Sequence, residues 1–384
     1  MSRKVARMPQ QVVIDGRPFD PAFLPEQLIH RESQLKELGS YLSPLLREPP
    51  LAAKALIVGP RGSGKTTISR QLVNRYLAEN PEAVGFVVNC RVEGSEYNVA
   101  MRMLIQSRLA SGFIRGVSKE EILISFIESL SGVKDPVLVI LDDVDSLLVK
   151  GKSYLVSSLL RSHEGFEAAA SKLGLVMTMR SVVVDSSFDV AVLPTVRLTP
   201  YTASELRDIL AARARVALSP GSHDDEILSM IADAARTTGD ARYAIEVLAR
   251  ACRMAEATGL GKVLPEHVRR GLSILPNFPS QSEMSLLSDL QRDVLMAIVN
   301  CLQGTDASFV TTGDLESSYR RYCEELGKEP VAHTRLWETL ESIESLGLIR
   351  KSVKSFGRRG RTSVVSLLAP ASALHQMLTK EITR

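Results

Sequence analysis

The chain has 384 residues, 45% hydrophobic and 24% charged, with a formal net charge of +3. That length supports two or three domains with real cores, and the composition is that of an ordinary globular protein. No apolar run approaches the roughly 20 residues a membrane span needs, so no membrane partner is expected.

The opening, Met1 to Arg7, is basic but leads into no apolar core, so a secretory signal is not expected. The four cysteines (Cys90, Cys252, Cys301, Cys323) form no C-x-x-C pair and the six histidines are dispersed. Thiols in a reducing compartment and no zinc site are the expectation.

Residues 1–24 are polar and read as an arm packing on the region that follows. From 25 to 200, short apolar runs at 55–58, 84–90, 137–141 and 173–179 alternate with helical patterns. That alternation predicts an α/β domain, a parallel sheet with helices on both faces. Directly after the first run stands Gly59-Pro60-Arg61-Gly62-Ser63-Gly64-Lys65-Thr66, and a helical pattern over 67–77 follows, starting at Thr67. Strand, glycine-rich loop and helix make a phosphate cradle: backbone N–H groups close on phosphate oxygens, Lys65 reaches the β- and γ-phosphates, and Thr66 can ligate Mg²⁺.

The run Val137-Leu138-Val139-Ile140-Leu141 delivers Asp142 and Asp143 at a strand end beside that loop. Asp142 is the candidate carboxylate for Mg²⁺, and Asp143 stands where an acid would orient an attacking water. Residues 201–280 predict an α-helical bundle closing in a hinge at 276–282, where two prolines sit among small polar residues. Gly239-Asp240-Ala241-Arg242 opens one of its helices. From spacing alone, Arg242 either swings over a γ-phosphate or pairs at the surface with Asp240 or Glu246.

In 281–384, helical patterns at 286–302, 312–326 and 331–346 precede two strands, 349–353 and 362–368. Three helices and a hairpin predict a winged helix. The third helix would present His333, Thr334, Arg335 and Glu338 to base edges, while Leu336, Leu340, Ile343 and Leu346 face the core with Trp337. Arg350, Lys351, Lys354, Arg358, Arg359 and Arg361 stand in twelve residues with no acid among them. Such a patch reads as a phosphate contact, with a solvated hairpin as the bland alternative. If all six neutralise phosphates, log affinity falls against log salt with a slope of about −5.

Together these segments resemble the archaeal replication-initiator family, the origin-recognition and cell-division-cycle type AAA+ proteins. The resemblance runs over residues 23–368. Phe23-Leu24-Pro25-Glu26-Gln27-Leu28-Ile29-His30-Arg31-Glu32 is similar to the family segment that lines the adenine pocket, which implies nucleotide contacts for Leu28, Ile29 and Arg31. Residues 59–66 are similar to its Walker A, residues 138–145 to its Walker B, and Gly239-Asp240-Ala241-Arg242 to its sensor 2. Val88-Asn89-Cys90-Arg91 and Arg115-Gly116-Val117-Ser118 bracket the place of a helical insertion that touches DNA, which implies a contact from Arg115 with Lys119 nearby. Gly357-Arg358-Arg359-Gly360-Arg361-Thr362 resembles the family's wing.

The sequence departs from the family in three places. Asp143 replaces the usual Glu and is about one methylene shorter, which implies slower hydrolysis. Thr178-Met179-Arg180-Ser181 stands where sensor 1 usually ends in Ser-Asn, leaving Thr178, Arg180 and Ser181 as candidates. The Asp-Pro-Arg-Val-like segment whose arginine serves a neighbouring subunit is missing between 181 and 199, and Arg197 matches it poorly. These departures suggest a divergent paralogue.

The resemblance implies a replication initiator on origin double-stranded DNA. ATP or ADP with Mg²⁺ would act as a slow conformational switch, and a replicative MCM-type helicase and paralogous initiator subunits would be partners in a cytoplasmic, nucleoid-associated setting. The alternatives are an ATP-gated transcriptional regulator and a ring-forming AAA+ motor. The missing finger argues against the motor.

Overall fold

A computed structural model of the chain describes residues 11–109, 116–148, 151–181, 192–273, 284, 287–355 and 361–382. Arg115, Arg358, Arg359 and the expected hinge lie outside the described residues. The chain divides into two units, Leu24–Tyr201, and Met1–Phe23 with Thr202–Arg384.

In the first unit, the longer elements run α1 (Glu32–Leu42), β1 (Ala53–Val58), α2 (Lys65–Glu79), β2 (Val84–Asn89), α3 (Glu96–Ser107), α4 (Lys119–Ser129), β3 (Val137–Asp142), α5 (Tyr154–Leu160), β4 (Leu173–Met179) and β5 (Thr195–Arg197). The five strands are parallel, in the order β2-β3-β4-β1-β5. Both faces are covered, so the strands read as unbroken apolar runs. The side chains still alternate along each strand. Val137, Val139 and Leu141 join a core with Met103, Phe126 and Ile127 of α3 and α4. Leu138 and Ile140 join the opposite core, with Leu35, Leu38, Ile68 and Leu72 of α1 and α2. The polar groups Asn89, Asp142 and Thr178 stand at the C-terminal ends of their strands. The strand connections change direction between β4 and β1, where such a sheet opens a crevice.

In the second unit, four helices follow: α6 (Ala203–Ala217), α7 (Asp225–Ala235), α8 (Ala241–Thr258) and α9 (Pro265–Ser273). Thr202 caps α6 in a reciprocal box with Glu205. The described part of the arm groups with these helices rather than with the region that follows it in sequence. Val13 bridges Leu218, Ile14 N–H donates to the Ala217 carbonyl at 2.8 Å, and the Glu256 carboxylate accepts from the N–H groups of Val12 and Val13. Val12 is fully buried there, which anchors an otherwise polar segment.

Next come α10 (Asp289–Leu302), β6 (Val310–Thr311), α11 (Thr312–Glu325), α12 (His333–Ser345), β7 (Ile349–Ser355), β8 (Arg361–Leu367) and α13 (Ala371–Ile382). The sheet order is β6-β8-β7, with both pairings antiparallel. Leu336, Leu340 and Ile343 of α12 are buried against α10, but Leu346 is 54% exposed. The helix ends before it, Gly347 turns the chain with φ +74°, and Leu348 takes the buried place. Trp337 is half-buried at the rim of this core rather than inside it.

Candidate nucleotide site and nucleic-acid face

The 59–66 loop joins the end of β1 to the start of α2. Gly59 is required there by crowding: a Cβ would lie 2.7 Å from the Leu198 carbonyl and 2.8 Å from Ser63 Oγ. Gly64 caps α2 with φ +96°, a conformation that glycine takes without strain. The first N–H groups of α2 precede its own hydrogen bonds and can take phosphate oxygens. Lys65 is buried and its Nζ donates to the carbonyls of Gly59 (2.6 Å) and Pro60 (2.8 Å). Burial holds its ammonium below its ordinary pKa, against the opposing pull of Asp143, Asp142 and Asp145. Pro60, Gly62, Thr66 and Thr67 are half-buried around it, and Arg61 is exposed at the loop tip.

Asp142 has no exposed surface, and its side-chain hydrogen bonds come from hydroxyl and amide donors. Oδ2 accepts from Thr66 Oγ1 at 2.9 Å and Asn89 Nδ2 at 3.1 Å, while Oδ1 accepts from Thr178 Oγ1 at 2.6 Å. A hydroxyl and a carboxylate in contact are the hard oxygen donors that Mg²⁺ selects, so the residues fit that ion. In the sequence Asn89 reads only as a flank of the insertion. Its contact follows from the β2–β3 register, which pairs Asn89 with Asp142. Thr178 is committed to this carboxylate and to the N–H of Asp143 (2.9 Å). Of the sensor 1 candidates, only Arg180 and Ser181 keep exposed side chains.

Asp143 takes φ +56°, an uncommon setting that Asp tolerates. Its carboxylate lies 3.2 Å from Arg91 Nε. Neighbouring Asp145 is held above the usual carboxylate range by burial and then by Asp143, with Arg180 3.9 Å away opposing the shift.

Leu28 is buried in the α1–α2 core, Ile29 beside it is half-buried, and Arg31 is buried behind the phosphate loop. Arg242 is exposed in the first turn of α8. Glu246, one of its two suggested partners beside Asp240, lies 2.7 Å from Arg250 and 3.5 Å from Arg253.

On the winged helix, His333, Thr334, Arg335 and Glu338 are exposed along one side of α12. Trp337 Nε1–H donates to His333 Nε2 at 2.8 Å, so that nitrogen has no proton left for Glu316, 3.3 Å away. The basic run is not uniformly available. Lys354 is ion-paired with Glu226 of α7 and sits 4.0 Å over the Phe309 ring. Arg350 donates to the Asp233 carbonyl (3.2 Å) and lies 3.3 Å from Glu344. Lys351 lies 3.2 Å from Glu341 and 5.3 Å over the Trp337 ring. Burial raises the pKa of Glu226, but hydrogen bonds from Lys354 and Ser308 outweigh it and hold the carboxyl below its usual range. Glu226 engages the Lys354 ammonium, and a phosphate would have to compete with it for that cation. Glu226→Gln is therefore expected to raise affinity for duplex DNA a few-fold and to steepen the log–log salt slope by about 0.9. Titration over salt checks this, and an unchanged slope would remove Lys354 from the contact.

Among the described residues no helix is long and apolar enough to cross a membrane. A parallel sheet carrying a phosphate loop and a buried strand-end carboxylate, followed by a helical lid and a winged helix, defines an AAA+ protein with a DNA-binding-type C-terminal module. The AAA domain family matches residues 52–178, the Cdc6 AAA+ ATPase-type lid domain 207–273, and the CDC6 C terminal winged helix domain 282–377.

The ORC1-type DNA replication protein 1 of Sulfolobus acidocaldarius is 28% identical over 355 residues, covering 90% of this chain and 88% of its own. The ORC1-type DNA replication protein of Thermococcus kodakarensis is also 28% identical, over 360 residues, covering 90% and 86%. Among solved structures, Cdc6p from Pyrobaculum aerophilum superposes with a TM-score of 0.86 at 27% identity, covering 97% of this chain and 99% of that one. The Aeropyrum pernix ORC1 protein, solved in complex with DNA, superposes with a TM-score of 0.60 at 27% identity, covering 96% and 97%. The chain belongs to the archaeal Orc1/Cdc6 family.

Proposed function

We propose that this chain is an ATP-dependent DNA replication initiator that binds origin double-stranded DNA. The observation that carries the reading is the coexistence, in one chain, of a phosphate loop whose Thr66 touches buried Asp142 with a winged helix whose α12 exposes His333, Thr334 and Arg335. The relatives named as DNA replication proteins, and the ORC1 relative solved on DNA, support it.

In this reading Gly59 to Thr67 and Lys65 hold the phosphates of ATP or ADP, and Leu28 and Ile29 wall the adenine. Thr66 and Asp142 would hold Mg²⁺, which would supply charge neutralisation to the bound phosphates. Asp143 orients the attacking water and Arg242 reads the γ-phosphate. Turnover to ADP and phosphate is slow, because the Asp143 carboxylate is short and already engaged by Arg91. The nucleotide is then a state-holding switch, with a replicative MCM-type helicase and paralogous initiator subunits as the partners it serves. Arg115, Arg335, Arg358, Arg359 and Arg361 supply the DNA contacts, with Lys351 and Lys354 joining them on release from their carboxylates. Nucleoid association in the cytoplasm follows from that target.

Chromosome-wide footprinting with ATP and with ADP tests this. Footprints confined to replication origins are expected. Footprints scattered over promoters would replace the reading with that of an ATP-gated transcriptional regulator.

A further inference from the structure

We infer that Arg31 is a positioning residue of the phosphate loop, acting through the Ser63–Gly64 peptide and held in place by Tyr201. This rests on the nucleotide-binding reading above and deepens it: Arg31 serves the polyphosphate from behind the loop and makes no contact with the base.

Arg31 is 2% exposed, among the most buried large side chains of the molecule. Its guanidinium donates from Nε to the Ser63 carbonyl (3.1 Å), from one terminal nitrogen to the His30 carbonyl (3.2 Å), and from the other to the Thr199 carbonyl (2.6 Å). The guanidinium carbon lies 3.9 Å over the Tyr201 ring. Among the described residues its partners are carbonyls and a ring, with no carboxylate. A buried cation without a counter-ion is costly, and carbonyl dipoles and a π-face compensate it only in part. The anion that would complete the balance is the polyphosphate held by the loop itself.

The route to that anion is one peptide unit. The Ser63–Gly64 bond is trans, so the Gly64 N–H points the opposite way from the Ser63 carbonyl within the peptide plane, away from Arg31. Gly64 is the N-cap of α2, and its N–H belongs to the group that precedes the first helical hydrogen bond, Ile68 N–H to the Gly64 carbonyl at 2.9 Å. A charge-assisted bond on the carbonyl end polarises the peptide and strengthens the N–H as a donor. Tyr201 fixes this from behind: a Cβ on Gly64 would lie 2.7 Å from its hydroxyl. Arg31, Tyr201 and the loop are thus packed as a single assembly, and losing the charge weakens a donor to phosphate without touching the adenosine end of the ligand.

The test is titration of the full chain with ADP and with adenosine, alongside melting of the nucleotide-free protein. Arg31→Gln should weaken ADP binding at least about tenfold and leave adenosine affinity unchanged. The nucleotide-free melting temperature should stay level or rise, since a buried unpaired charge is gone. Arg31→Lys, which keeps the charge, should recover at least half of that loss on a logarithmic scale. ADP affinity of Arg31→Gln within threefold of wild type, or equal weakening of ADP and adenosine, overturns the proposal and leaves Arg31 a scaffold residue. If Arg31→Gln does not fold, Tyr201→Leu decides: a loss of about threefold specific to ADP supports the brace, and no change overturns it. Lys65→Ala run beside them keeps the two readings apart, because normal ADP binding there would show that the loop is not the phosphate site, whatever Arg31 does.

Discussion

Lys65→Ala is expected to abolish the thermal stabilisation that ADP gives the wild-type chain. A ligand that binds only the folded state at a hundredfold its dissociation constant adds about 2.7 kcal/mol. For a domain of this size that is on the order of 5–10 °C in melting temperature. The Lys65 ammonium is a charged donor within the loop, and among the described residues it bonds the Gly59 and Pro60 carbonyls. Phosphate offers a better, charged acceptor, so binding energy is concentrated on this side chain. The variant should cost no stability without ligand. Burial already depresses the ammonium's pKa, so the folded state disfavours the charged form, and removing it at neutral pH relieves a penalty. A nucleotide-free melting temperature near wild type with no response to ADP is the expected pair of results. A full ADP shift in Lys65→Ala would mean that the loop is not the phosphate site.

Local pattern made most of this fold legible. β1 to β4 were readable because each is a run of apolar residues bounded by turns, and the phosphate loop because its glycines and Lys65 fall at fixed spacing. β5 was missed because it is three residues long with only Val196 buried, and β6 because it is two. α13 carried its signal in Leu374 and Leu378, four apart and buried, beyond where the winged-helix pattern had already closed. What one chain order cannot show is which polar groups meet. Asn89 reaches Asp142 through strand register, Thr178 through the next strand, and Arg31 reaches Ser63 across 32 residues. The acid-free basic stretch at 350–361 reads in sequence as one surface, yet three of its members face carboxylates brought to them by folding.

That last point sets the size of the second large effect. Arg358→Ala with Arg359→Ala is expected to lower duplex DNA affinity roughly tenfold to a hundredfold at physiological salt and to flatten its salt dependence. Each phosphate neutralised contributes about 0.9 to the log–log slope. With Arg350, Lys351 and Lys354 held by Glu344, Glu341 and Glu226, the wing's own share falls from about −5 to about −2.7, carried by Arg358, Arg359 and Arg361. Removing two of the three should then reduce the slope by about 1.8. The exposed face of α12, with Arg335, is untouched by these changes, so a sequence preference read there should survive while affinity for all duplexes drops together. Filter binding of the full chain to one duplex across a salt series measures both quantities. An unchanged slope would make the wing a solvated hairpin. A flattening of about 1.8 accompanied by a loss of sequence preference would instead place the arginines on base edges, because phosphate contacts position a protein without informing it.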